Sequence, residues 1–228
     1  MYIHGKEILR GGIACVSALI AFVSIAYAQE TAQTLEGKIM QLPVMEGNIS
    51  DRTPFDWLLN PERSSAGVYR SSDGKSIIIA NGMVSRTLRV FPNLATTNIV
   101  NRMLGESMLR AVSSEGAVWI DGKKWEIGGL EGQPERGYLK DEWTDSMEVL
   151  PESFIVEDFQ VRDMAPEMEW DRCRWALNKE DATGKEIVFT LRGRGDTGDI
   201  YVKLFFPYMT IFLSYVSVWS FLTGRANR

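Results

Sequence analysis

Four carboxylates, Asp141, Glu142, Asp145 and Glu148, gather around Trp143 in one stretch of the chain. Two chemistries use such a set. Catalysis by carboxylates, as in glycosidases, needs two acids held in different environments and no histidine. Sugar binding asks less: an aromatic face stacks on the apolar side of a pyranose while carboxylates, amides and guanidinium groups take its hydroxyls. The segment QPERGYLKDEW, residues 133–143, holds all of these parts, and Arg136, Tyr138, Asp141, Glu142 and Trp143 are its candidate carbohydrate-contacting residues. A plainer role competes with this one. Tyr138 and Trp143 would also serve to staple their loop onto the domain, and acids clustered on a loop are commonly solvated charge. No catalytic residue is assigned.

The rest of the composition narrows the chemistry. The only histidine, His4, lies in a segment built like a secretory signal, with Lys6 and Arg10 before an apolar stretch over 11–25 and with Ala26 and Ala28 before a cleavage point at Gln29. An uncleaved N-terminal membrane helix is the alternative, although the stretch is shorter than a full span of about 20 residues. The exported chain would then lack the commonest general base and metal ligand, which excludes histidine-dependent triads. Cys173 would be its sole cysteine, so no intrachain disulfide is expected, a pattern that suits a bacterial envelope, periplasmic or extracellular. With one cysteine and no calcium-loop pattern, neither a metal nor a cofactor is expected. Removal of residues 1–28 takes away Lys6, Glu7 and Arg10, turning 25 basic and 30 acidic residues into 23 and 29, a net charge of −6. Nucleic acid is therefore disfavoured as a partner.

Strands must position these groups. Residues 29–66 form a polar, irregular lead-in broken by Pro43, Pro54 and Pro61. After Val68 the pattern turns to period two: 75–80 and 83–91 flank Asn81-Gly82, a strong hairpin signal, with Val84, Arg86, Leu88 and Val90 alternating against Ser85, Thr87 and Arg89. A second hairpin is expected at Asp121-Gly122, between 117–120 and 123–127, with later strands at 154–161, 169–177, 186–192 and 200–206. Residues 101–112 fit a helical turn or a strand-flanking turn about equally. In 169–177, Trp170, Arg172 and Arg174 fall on one face and Cys173 and Trp175 on the other, the latter two suited to a core. The glycine run RGRGDTGD, 192–199, lies between two expected strands without a following helix, so it reads as a turn and not as a phosphate loop. Many short strands separated by turn residues predict an all-β, antiparallel β-sandwich over 67–206. The connection 128–153 is too long for a turn, and its apolar anchors argue for a functional loop. The tail 207–228 is a separate matter. The uncharged stretch opening at Leu204 and closing at Leu222, followed by Arg225 and Arg228, suggests a C-terminal transmembrane helix that anchors the domain in the membrane. The alternative is a strand followed by a truncated end.

Particular residues carry a family resemblance: Asn81-Gly82 with Val84 and Arg86, Ala95-Thr96-Thr97, Asn101, Gly105-Glu106-Ser107, Gly128-Gly129 and Gly132-Gln133-Pro134. On these the chain resembles the N-terminal β-sandwich region of secreted bacterial glycoside hydrolases related to the family 36 α-galactosidases, loosely as far as Val202. The resemblance implies a galactose-mutarotase-like supersandwich. In such enzymes that region precedes a catalytic (β/α)8 barrel, for which about 250 residues would be needed. The expectation is therefore an exported accessory domain without hydrolytic activity of its own that contacts carbohydrate. The alternative is a membrane-anchored structural or interaction protein of the envelope.

Overall fold

The structure is a computed structural model, and it describes residues 34–47, 59–60, 65–164, 183–209 and 218–223, the last six as backbone alone. The chain divides into two units, 1–38 and 39–228. Of the first, only residues 34–38 are described, where Thr34 Oγ1 accepts from Gly37 N at the start of the short helix α1 (Leu35–Met40). The expected signal, 1–28, and the strand carrying Trp170, Cys173 and Trp175 lie outside the described residues.

The second unit is all-β and sandwich-like. Strands β1 (Gly67–Arg70), β2 (Ser76–Ala80), β3 (Val84–Arg89), β4 (Ala95–Asn101) and β5 (Glu106–Ser107) form an antiparallel meander in chain order. The chain then makes the hairpin β6 (Gly116–Ile120) and β7 (Lys123–Ile127), and a two-residue ribbon, β8 (Leu130–Glu131) with β9 (Glu148–Val149). Long strands follow: β10 (Ser153–Asp163), β11 (Gly184–Arg192), β12 (Ile200–Met209) and β13 (Val218–Thr223). The second sheet runs β13-β12-β11-β10-β7-β6. It is not wholly antiparallel, because β10 returns beside β7 in the same direction, pairing Ser153 with Glu126 and Phe154 with Ile127. The connection 128–152 loops out and returns beside the closing end of β7, so that β10 starts against Glu126 and Ile127 and runs on in the same direction.

Local chemistry explains the turns. At Asp121-Gly122 both residues take positive φ, +50° and +79°, as a two-residue hairpin with right-handed strand twist requires. At Asn81-Gly82 the hairpin forms differently. Asn81 pairs with Val84 through its amide, and its side-chain Oδ1 accepts from Met83 N and Val84 N, so it caps a turn centred on Gly82 and Met83. Residues 101–112 are neither helix nor long strand. Asn101 Oδ1 accepts from Met103 N and Leu104 N and closes a tight turn into β5.

The interior is aromatic and aliphatic. Phe189 of β11 sits between Phe159 and Phe206, at 6.0 and 5.7 Å, the latter edge to face. Ile77, Ile79, Leu88, Ile187, Leu191, Val202 and Leu204 are fully buried. Each such side chain contributes about 1.5–3 kcal/mol by leaving water. Polar clasps fix the two sheets in register. Asn81 Nδ2 donates to Met209 O at 2.9 Å, and Asn93 donates to Phe154 O while accepting from Val156 N, both at 3.1 Å. The Arg86 guanidinium lies 4.6 Å from the Phe206 ring centre and donates to Thr96 Oγ1 and to Glu115 Oε2, the latter at 2.6 Å. Glu115 Oε1 in turn accepts from the Thr96 amide and hydroxyl.

The C-terminal segment departs from the expected helix. Residues 204–209 continue β12, and 218–222 lie in β13, paired antiparallel from Ile200↔Thr223 to Phe205↔Val218. Alternation decides this outcome: Val202, Leu204 and Phe206 are buried while Tyr201, Lys203 and Phe205 are less so, which is the period of a strand and not of a helix. The sheet thus extends beyond residue 206. No helix among the described residues is long and apolar enough to cross a membrane.

Candidate functional site

The strand β3 is buried on both faces. Its Arg86 and Leu88 face the second sheet, so Thr87 and Arg89 face outward, and the long connection must cover them. Gln133 holds that connection in shape. Its amide nitrogen donates to Arg110 O, Glu135 O and Tyr138 O, and its oxygen accepts from Val112 N at 2.9 Å. Trp143 and Leu139 then pack on a small core of Ala95, Val112, Leu130 and Met147. The apolar anchors work as staples, and the 3-10 turn Asp141–Ser146 is pressed onto the outer face of the first sheet.

Between this turn and the β1–β2 loop lies an open cleft of ≈ 420 Å³. Its floor is Ser76 of β2, Thr87 and Arg89 of β3, and Thr97 and Asn98 of β4; its walls are Ser71, Ser72 and Asp73 on one side and Asp141, Glu142, Thr144 and Asp145 on the other. A bulge makes the floor. Thr87 pairs with Asn98 and Leu88 with Thr96, leaving Thr97 as the extra residue, so that β4 presents both Thr97 and Asn98 to the cleft.

Arg89 organises the charges. Its side chain is 8% exposed; Nε donates to Phe91 O at 2.7 Å, Nη2 to Asp145 Oδ1 at 2.6 Å, and Nη1 lies 3.6 Å from Asp73 Oδ2. Lys75 Nζ donates to the same Asp145 oxygen at 3.1 Å. The Arg89 hydrogen bond, with help from Lys75, holds the Asp145 carboxyl below its ordinary value. Burial raises Asp73, but the Ser71 hydroxyl, the Lys75 amide and the positive charges of Arg89 and Lys75 outweigh it and leave that carboxyl lowered as well. Both are anions at neutral pH. A general acid requires the opposite shift, so neither suits the proton-donor role of a glycosidase.

The sequence-predicted residues divide. Asp141 and Glu142 line the cleft. Tyr138 and Trp143 do not; their rings lie against each other, 5.2 Å apart and tilted by 42°, with Lys140 Nζ 6.0 and 5.5 Å from their centres, and Tyr138 is half-exposed. Arg136 is exposed on the loop and is not part of the lining. The residues missed by sequence reasoning are those of the floor, Ser76, Thr87, Arg89, Thr97 and Asn98, together with Asp73. One clue to them was present: an arginine in a strand buried on both faces demands acidic partners. The glycine run folds into a turn with a short 3-10 segment, Gly195–Thr197, as expected. Among the described residues no group of acids, cysteines or histidines is placed to hold a metal ion.

The paired acids make stability depend on pH. Their folded-state pKa lies below the unfolded value, so their contribution is present above the ordinary value of 3.8 and is lost as the pH falls through the lowered folded values. An Asp73→Asn, Asp145→Asn double variant is expected to be less stable than the wild type at neutral pH and to converge on it in acid, as followed by urea unfolding at a series of pH values. Curves that stay parallel would show that these pairs carry no linkage.

Comparison of the chain with protein-family models, with curated proteins and with solved structures gives no match.

Proposed function

We propose that the chain is an exported, non-catalytic β-sandwich domain that contacts carbohydrate through the cleft on the outer face of its first sheet. The observation that carries this reading is the make-up of that cleft. Hydroxyls of Ser76, Thr97 and Thr144, the amide of Asn98 and the carboxylates of Asp141 and Glu142 converge on one open surface. Such a set matches a ring of sugar hydroxyls, each of which donates and accepts. The Tyr138–Trp143 pair lies outside the lining, so contact is through hydroxyls more than through a stacked ring face. The lowered pKa of Asp73 and Asp145 removes these two carboxyls from the role of proton donor. The finer fold belongs to the same proposal: two sheets of five and six strands suit a galactose-mutarotase-like supersandwich, the accessory region of an α-galactosidase-like glycoside hydrolase.

Affinity electrophoresis through gels containing soluble galactans, xyloglucan or chitosan tests the reading. Retardation by at least one polysaccharide is expected, weakened about tenfold by Asn98→Ala, the loss of one or two hydrogen bonds. Unaltered mobility in every gel would dispose of it.

A second reading, an envelope interaction protein, is favoured by one observation. The edge strand β6 carries no charge along Gly116–Ile120, and its Trp119 is 66% exposed. Natural edge strands are usually guarded by charge, and among the described residues no strand pairs with the outer side of this one. Concentration-dependent sedimentation that Trp119→Lys abolishes would favour this reading.

A further inference from the structure

The hairpin β6–β7 fixes which backbone groups lie at the margin of the second sheet. Ile120 and Lys123 pair directly across the two-residue turn at Asp121-Gly122, so they exchange both of their backbone hydrogen bonds. Bonding alternates from there. Val118 forms the next such pair with Trp125, and the amides and carbonyls of Ala117 and Trp119 point away from β7, where no strand among the described residues takes them up. The side chains at this margin are apolar on both faces. Val118 and Ile120 share the face of the buried Trp125 and are only half-buried, while Trp119 stands exposed on the opposite face. Neither a charge, a proline nor a bulge interrupts Gly116–Ile120.

We infer, resting on the second reading above, that β6 pairs antiparallel with β6 of a second copy of this chain about a two-fold axis at Val118. Three features favour a like partner in this register. With Val118 opposite its counterpart as a non-hydrogen-bonded pair, Ala117 of each copy stands opposite Trp119 of the other, and every outward amide and carbonyl at these positions finds a partner. Small side chains meet large ones: Trp119 faces Ala117, and Ile120 faces Gly116, so the bulky groups do not collide. The two Val118 side chains extend the apolar face of Trp125 across the axis, and the two indoles become diagonal neighbours on the other face, at about 7–8 Å, which aromatic rings can span. Charge does not oppose the pairing. Gly116–Ile120 carries none, and Glu115, which precedes it, is already matched by Arg86. One strand pair and two indoles make a contact at the low end for specific interfaces, so a dissociation constant on the order of 10–100 µM is expected.

Sedimentation of the full chain across that range of concentration tests the pairing. The wild type should pass from monomer to dimer, and Trp119→Lys should weaken the dimer at least tenfold. Trp119 is exposed, so the variant should keep the wild-type melting temperature, which separates lost pairing from misfolding. Single cysteines in a Cys15→Ser, Cys173→Ser background read the register. Val118→Cys should give a covalent dimer on mild oxidation, because Cα atoms of a non-hydrogen-bonded pair lie about 4.5 Å apart, within disulfide range. Ala117→Cys should not, since its two cysteines would stand diagonally, about 7–8 Å apart. A dimer that Ala117→Cys locks and Val118→Cys does not overturns the inferred pairing and leaves the edge as a contact surface. A wild type that stays monomeric overturns the second copy as partner and leaves the edge to a different one. Self-association that Trp119→Lys leaves intact sinks both the inference and the reading beneath it, because the copies then meet elsewhere.

Discussion

Glu115→Ala is expected to destabilise the fold by about 3–5 kcal/mol, the range for breaking a buried ion pair from one side. The Arg86 and Glu115 side chains are only 5% and 8% exposed, and Arg86 sits between the sheets above Phe206. Removing the carboxylate strands a guanidinium where water cannot replace it, and it also deprives the Thr96 amide of its acceptor. For a chain of this size the melting temperature should drop by about 10 °C. Two companions locate the cause. Glu115→Gln keeps an acceptor for Thr96 but not the charge, and should cost less than Ala. Adding Arg86→Met to Glu115→Gln removes the stranded charge and should recover most of the loss. Urea unfolding of the series measures each step. A loss below about 1 kcal/mol for Glu115→Ala would mean that Arg86 finds solvent by rearrangement, in which case the ion pair is not what fixes the sheets.

Gly128→Ala should be the other large effect, about 3 kcal/mol or more. Gly128 has φ of +63°, which already disfavours any side chain, and a Cβ there would stand 2.3 Å from Leu94 O. That carbonyl cannot retreat easily, because it accepts from Gly129 N at 2.6 Å. Gly122→Ala is the control: φ is +79°, yet nothing lies within 4 Å of the added atom. Its cost should be that of the backbone conformation alone, about 1–2 kcal/mol. The difference between the two midpoints, read by thermal unfolding, isolates the contact with Leu94. Equal losses would show that the glycine pair is needed for backbone conformation only and not for the close approach of the two chain segments.

What the sequence disclosed follows the range of the interactions involved. The Asp121-Gly122 hairpin and the alternation of Arg86 and Leu88 against Thr87 and Arg89 are local, so composition and period two reveal them. Strand β4 was not foreseen, since ATTNIVN is polar and half of it faces a covered surface that only the folded loop provides. The helix expected over 204–222 came from counting apolar residues, and over 204–209 the buried strand β12 satisfies the same count. The cleft was partly legible. Asp141 and Glu142 stood out as acids on a long loop, but Thr87, Arg89, Thr97 and Asn98 come together only through cross-strand register and one bulge. The Asn81 turn illustrates a finer limit: the dipeptide announced a hairpin correctly, while the side chain moved the centre of the turn one residue along.

The parallel junction between β7 and β10 has a consequence for how the sandwich loosens. Two residue pairs join the β6–β7 hairpin to its sheet, whereas eight join β10 to β11. Opening at the junction breaks few backbone bonds, so the hairpin can swing out as a flap while the remaining strands stay zipped. Amide protons of 117–126 should therefore exchange with deuterium well before those of 187–191, and the margin carrying Trp119 is where this domain breathes.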